Sequence, residues 1–161
     1  MQARVRHVIG QAYANVGQGQ RGEELLRAAA ESLLSAEVDR PLEAADALNE
    51  LAVILANGKR GEEAEKVARR SLEVVAAAGG DAELEGGAWN SLGLALMNQE
   101  RFQEALEAFD QSLKLREPLP GFERNRAQVN HNKGLLYQKW GRLAEAERVL
   151  QQALAVVGTR L

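Results

Sequence analysis

Apolar and small residues recur along this chain at i, i+3, i+4 and i+7, the period of an amphipathic helix. The stretch from Trp89 to Leu115 carries the pattern most plainly. Trp89, Leu92, Gly93 and Leu96 form one stripe, and Phe102, Ala105, Phe109 and Ser112 another, with a polar break at Asn98-Gln99-Glu100 between them. Two helices separated by so short a break fold back on each other. Gly93 and Ala105 are small where the two have to come close, so the pattern predicts an αα-hairpin.

The rest of the chain copies this hairpin. Leu48, Leu51, Ala52 and Leu55 match its first helix, and Ala64 to Leu72 its second; Ala52 to Gly93 and Ala64 to Ala105 are both 41 residues. Gly134 and Tyr137 match the first helix again, and Ala146 to Leu154 the second, at the same spacing of 41. The opening is a looser copy. Ile9, Gly10 and Tyr13 match the first helix, and Leu25 to Leu33 the second, with a turn three residues longer than the one between Leu55 and Ala64. That turn is read as Gly17-Gln-Gly19-Gln-Arg-Gly22, since glycine tolerates the dihedrals of a tight reversal. No strand precedes it, so its G-x-G is not a phosphate loop. Pro41 is placed in the first turn of a helix, Gly79-Gly80 end one, Asp81 caps the next, and Pro118-Leu-Pro-Gly121 forces a break. The expected fold is all-α, a single domain over residues 1–161 built of hairpins at about residues 3–38, 41–79, 81–118 and 121–158.

The order Trp89, Leu92-Gly93, Leu96, Ala105, Phe109, Ser112 resembles the tetratricopeptide repeat, whose pattern runs Trp, Leu-Gly, Tyr, then Ala, Phe, Ala, with a Pro near the end. Tyr13 and Tyr137 supply the Tyr where Leu96 stands, and Pro118 falls close to the Pro. All four units fit. Their period of about 41 exceeds the common repeat of about 34 and resembles the long-repeat branch seen in kinesin light chain and in bacterial regulators. The resemblance implies a right-handed αα-superhelix with the first helix of each hairpin lining its concave face.

Composition narrows the function classes. The chain is 45% hydrophobic but 4% aromatic, as expected of close-packed helix pairs. No apolar run reaches the roughly 18 residues of a membrane helix, and the N-terminus has no signal-peptide core, so no membrane association and a cytoplasmic location are expected. There is no Cys, and the net charge of −3 with interspersed signs argues against nucleic acid as a partner. No nucleophile with a base, acidic pair or metal set is legible, so neither catalysis nor a cofactor is expected. His7 and His131 share a repeat position but lie too far apart to share a metal, and no metal is expected. Glu23, Glu24, Glu62 and Glu63 favour helix N-termini.

What the resemblance implies about binding is a concave groove for a peptide or protein segment. Three ladders of first-helix positions would line it: His7, Asn49, Asn90 and His131; Gln11, Val53, Leu94 and Leu135; and Asn15, Asn57, Asn98 and Lys139, with Met97 beside the last. Asn offers donor and acceptor together and can hold an extended backbone, while Val53, Leu94, Met97 and Leu135 would seat side chains. The slots of a clamp for C-terminal carboxylates hold His7, Gln11, Glu50, Gly87 and Ser91, so that basic set is missing.

Lys133 occupies the slot filled elsewhere by Ile9, Leu51 and Leu92, which is expected to be buried. Either its stem packs while the ammonium reaches water, or it joins Arg124, Arg126 and Lys139, extended by Arg116, as a basic patch for an acidic partner. No polar capping helix is legible at either end. The chain is therefore expected to be part of a larger regulatory or scaffold protein, or to self-associate through an uncapped end. The leading function is a non-catalytic protein–protein interaction module; the alternative is a structural or oligomerisation segment using its ends or convex face.

Overall fold

The computed structural model describes residues 1–35 and 37–158, the last four of these by backbone alone. Among the described residues there are eight helices and no strand: α1 (Gln2–Asn15), α2 (Gly19–Leu34), α3 (Pro41–Asn57), α4 (Gly61–Ala77), α5 (Ala82–Asn98), α6 (Phe102–Arg116), α7 (Glu123–Lys139) and α8 (Leu143–Gly158). They pair as four antiparallel hairpins. Each hairpin stacks on the next, and α3 also packs directly on α5. The architecture is an all-α helical-repeat superhelix.

Local chemistry explains the helix starts. Pro41 sits in the first turn of α3. The Asp81 carboxylate accepts the N–H groups of Glu83 and Leu84, each at 3.0 Å, and caps α5. Arg60, Arg101 and Arg142 stand just before α4, α6 and α8, and each holds the glutamate three residues further on. Two of these arginines also reach back a repeat, Arg60 to Glu23 at 2.6 Å and Arg101 to Glu65 at 2.7 Å. Gly79 and Gly80 both take left-handed backbone after α4.

The hairpin core is set by one pair of facing slots. Where the first helix carries Gly10, Gly93 or Gly134, the second carries a large residue: Leu26, Phe109 or Leu150. A Cβ added at those glycines would lie 2.9, 2.5 and 2.5 Å from the partner side chain. In the second hairpin the pair is Ala52 and Ala68, both fully buried. Volume is thus conserved across the slot while its division between the helices changes.

The first hairpin corrects the expected turn. Helix α2 starts at Gly19, not Gly22, and the reversal is Val16–Gln18, as short as the other three. Of the three glycines only Gly17 has positive φ. Gly22 is helical and buried, and it, rather than Leu25, fills the slot of Ala64, Ala105 and Ala146. A Cβ there would meet the Gly10 carbonyl at 2.9 Å, so the residue is glycine for close approach and not for turning.

Ile9 also departs from expectation. Its slot is buried at Leu51 and Leu92, but Ile9 is 43% exposed, because no described element covers that side of α1.

Candidate concave groove

The first helices of the hairpins line a groove of about 920 Å³ that runs from the end of α1 across α3 and α5 to the start of α7. That is within the usual range of ligand-sized clefts. Gln11, Asn49, Val53, Asn57 and Asn90 all line it. His7 stands at its edge, bonded to the lining residue Glu50. Leu94, Met97, Asn98, His131, Leu135 and Lys139 do not line it.

The ladders are therefore only partly turned to the groove. Much of their polarity joins one repeat to the next. Asn49 is buried and its amide donates to the Leu84 carbonyl at 3.0 Å. The Asn90 side-chain carbonyl accepts from Asn132 at 2.9 Å, and the Asn98 amide donates to the Ala56 carbonyl at 2.5 Å. Asn57 is exposed at the end of α3. The apolar strip divides in the same way. Val53 faces the groove, Leu94 packs against both central cores, Met97 is buried in one of them, and Leu135 is exposed elsewhere. Asn132 was not expected here, although its spacing of 42 from Asn90 is the only sequence signal for the contact.

The basic residues near α7 do not form a set of free cations. The Lys133 stem is half-buried and its ammonium pairs with Asp110 on α6 at 2.5 Å. Arg126 donates to the carbonyls of Arg116 and Leu119. Arg124 and Lys139 are exposed.

At the groove's other end, His7 on α1 meets two carboxylates of α3. Its Nε2 lies 3.2 Å from Glu50 and 3.8 Å from Asp46. Gln11 donates to the other Glu50 oxygen. The His7 nitrogen and oxygens of Asp46 and Glu50 lie within 4.8 Å of one another, a donor set that the sequence comparison of His7 with His131 missed. The hydrogen bond that His7 makes to the Glu50 carboxylate raises the His7 pKa against the opposing effect of burial, and the charges of Glu50, Asp46 and Glu43 add to the rise. Burial, helped by Glu50 and Glu83, pushes Asp46 up. A histidine whose folded pKa is raised stabilises the fold fully below its ordinary value, and loses that contribution as pH rises through the folded value. The melting-temperature gap between wild type and His7→Gln is therefore expected to widen on going from about pH 8 to about pH 6. A gap independent of pH would show that the imidazolium does not tie α1 to α3.

Arg116, the last residue of α6, reaches the groove from a second helix. The residue as a whole is 7% exposed, and its side chain packs over Gly86 and Gly87 of α5. Nη1 donates to the Ser112 hydroxyl at 3.2 Å, which itself donates to the Gly86 carbonyl at 2.6 Å. Burial lowers the Arg116 pKa, and Glu83 opposes this from beyond ion-pair distance. Two buried side-chain atoms among the described residues lack a hydrogen-bond partner: Arg116 Nε and Asn49 Oδ1.

Comparison with known proteins places this architecture. Two family models, each described as tetratricopeptide repeat, match residues 8–82 and 84–157. No curated protein matches the sequence. Among solved structures, BtubC (BKLC) from P. vanneervenii aligns with a TM-score of 0.74 at 20% identity, over 98% of this chain and 63% of that one. The chain thus spans somewhat under two thirds of that relative. A putative kinesin light chain from Podosopora anserina with nearly identical TPR-like repeats aligns at 0.70 with 22% identity, over 98% of this chain and 76% of that one. MamA from Desulfovibrio magneticus RS-1 aligns at 0.64 with 19% identity, over 98% and 77%. At such identities these likenesses speak to the fold alone. The family models rest on the sequence itself, and together with the four stacked hairpins they lead to one conclusion: this chain belongs to the tetratricopeptide-repeat family.

Proposed function

We propose that this chain binds an extended peptide or protein segment in the groove across α1, α3 and α5. Tetratricopeptide repeats imply a protein–protein interaction module, and the groove is the feature that supports this finer reading. Its volume suits a short segment, and it combines an apolar wall at Val53 with amide groups at Gln11, Asn57 and Asn90. In this reading the module works without catalysis, metal or cofactor, inside the cytoplasm, as part of a larger regulatory or scaffold protein. No helix among the described residues is long and apolar enough to cross a membrane.

Val53 and Asn57 are suitable probes because both line the groove and neither is fully buried. Affinity capture from a lysate of the source organism, with wild type beside Val53→Arg with Asn57→Arg, is expected to recover a protein that the variant loses. Equal recovery by both would move the interface out of the groove.

A second reading rests on α1. Val5, Val8 and Ile9 are 49%, 65% and 43% exposed and lie along one side of that helix. In this reading the chain associates through its end, and light scattering would show a mass that grows with concentration. A monomer at high concentration removes it.

A further inference from the structure

We propose that His7, Asp46 and Glu50 form a binding site for a divalent transition-metal ion such as zinc, which clips the first hairpin to the second. The groove reading neither needs this ion nor depends on it.

The site is built from three positions on two helices. Asp46 and Glu50 stand one turn apart on α3, so both carboxylates leave the same face of that helix. His7 comes from α1, and its side chain is 15% exposed, which holds the ring in place. Nε2 lies 3.2 Å from one oxygen of Glu50 and 3.8 Å from one of Asp46, and the three ligand atoms all fall within 4.8 Å of one another. Zinc holds nitrogen and oxygen ligands at about 2.0–2.2 Å, which puts tetrahedral neighbours about 3.3–3.6 Å apart. The set is thus close to the size the ion requires, and Asp46, whose side chain is 52% exposed, has room to close the remainder. Gln11 donates to the other Glu50 oxygen and fixes that carboxylate from outside, as the outer partners of metal ligands do.

Charge points the same way. Among the described residues, Asp46 and Glu50 form ion pairs with His7 alone. Glu43, whose charge also reaches His7, is held by Arg4 and Arg40. Two carboxylates therefore share one imidazole, and like charges one turn apart on a helix repel. A divalent cation on a neutral imidazole and two carboxylates closes that balance; any proton on Nε2 passes to solvent as the ion binds. The imidazole favours zinc and its neighbours over magnesium or calcium, which take oxygen ligands. Asp46 and Glu50 line the groove, so the ion can enter from solvent and keep water in its fourth position.

Joining repeats does not itself call for these groups. At the next two junctions the matching positions hold Asn49 with Gly87 and Ser91, then Asn90 with Gln128 and Asn132. There neutral groups make the joint: Ser91 donates to the Asn49 carbonyl at 3.3 Å, and Asn132 to the Asn90 side chain at 2.9 Å. A histidine against two acids is peculiar to the first junction.

The test titrates zinc chloride into the whole chain while the imidazole resonances are followed. The chain has two histidines, so the spectrum holds its own control. One ion per chain is expected to bind, moving the His7 signals and leaving those of His131 in place. Zinc should raise the melting temperature of wild type. His7→Gln or Asp46→Asn should weaken zinc binding at least about tenfold, since even the outer partners of metal ligands are worth that much. His131→Gln should bind as wild type does. The wild-type spectrum decides if a variant fails to fold. An unmoved His7 signal at saturating zinc, the same response to magnesium chloride, or an affinity that survives in both variants would overturn the site.

Discussion

Gly93→Ala is expected to destabilise the protein by about 1–3 kcal/mol, the usual scale of overpacking. The new methyl would stand 2.5 Å from one ring carbon of Phe109 and 2.6 Å from the next. Phe109 is fully buried and cannot swing aside without disturbing the central core. Phe109→Ala alone should cost more, about 3–5 kcal/mol, because it leaves a cavity. The informative member is the double variant. It recreates in the third hairpin the pair that the second already uses, Ala52 against Ala68. With the ring gone the clash is gone, and Ala is favoured over Gly in a helix interior by about 0.5–1 kcal/mol. Adding Gly93→Ala to Phe109→Ala is therefore expected to be neutral or stabilising. Urea midpoints of the four proteins measure the coupling directly. The same cost of Gly93→Ala in both backgrounds would mean that the two slots do not share one volume.

Arg116→Met is expected to raise stability by about 1 kcal/mol or more, the direction seen when buried ionic groups are replaced by apolar ones of similar shape. The charged form of Arg116 is disfavoured by its burial, and Glu83 relieves this only in part. Methionine would keep much of the packing over Gly86 and Gly87 and remove both the charge and the orphaned Nε. It would lose the bond to Ser112, which subtracts about 0.5–1.5 kcal/mol. If Arg116 is instead a strut between α6 and α5, thermal unfolding of Arg116→Met will show a clear loss.

The fold was legible because it repeats. Four imperfect copies at a spacing near 41 outweigh the ambiguity of any one of them, and the small residues at Gly93, Ala105, Gly134 and Ala146 mark the hairpin contacts directly. The register of the first hairpin was misread for a physical reason. Three glycines within six residues suggest a long turn, but glycine serves close helix approach as well as positive φ, and composition does not separate the two uses. Only the contact of Gly22 with the Gly10 carbonyl shows which applies.

The groove was legible in part. The family resemblance implied which helix lines it, and repeat positions then named Gln11, Val53 and Asn57. Spacing does not say how an amide is bonded: Asn98 bonds the neighbouring repeat, and Asn90, though it lines the groove, also accepts from Asn132. Lys133 looked anomalous in an apolar slot, and its explanation, Asp110, is 23 residues away on another helix. His7 with Asp46 and Glu50 was invisible for the same reason, since its members belong to different hairpins.

By itself, then, the sequence determined the helices, their pairing into hairpins and the serial stacking, because these follow from periodicity and from small residues at local contacts. Tertiary structure decided which polar groups are satisfied and which are not. Arg116 reads in sequence as one more basic residue at a helix end, where a cation suits the helix dipole. Stacking α6 on α5 buries it, and among the described residues no carboxylate forms an ion pair with it. Burial and pairing depend on where other repeats place their atoms, and no local pattern carries that information.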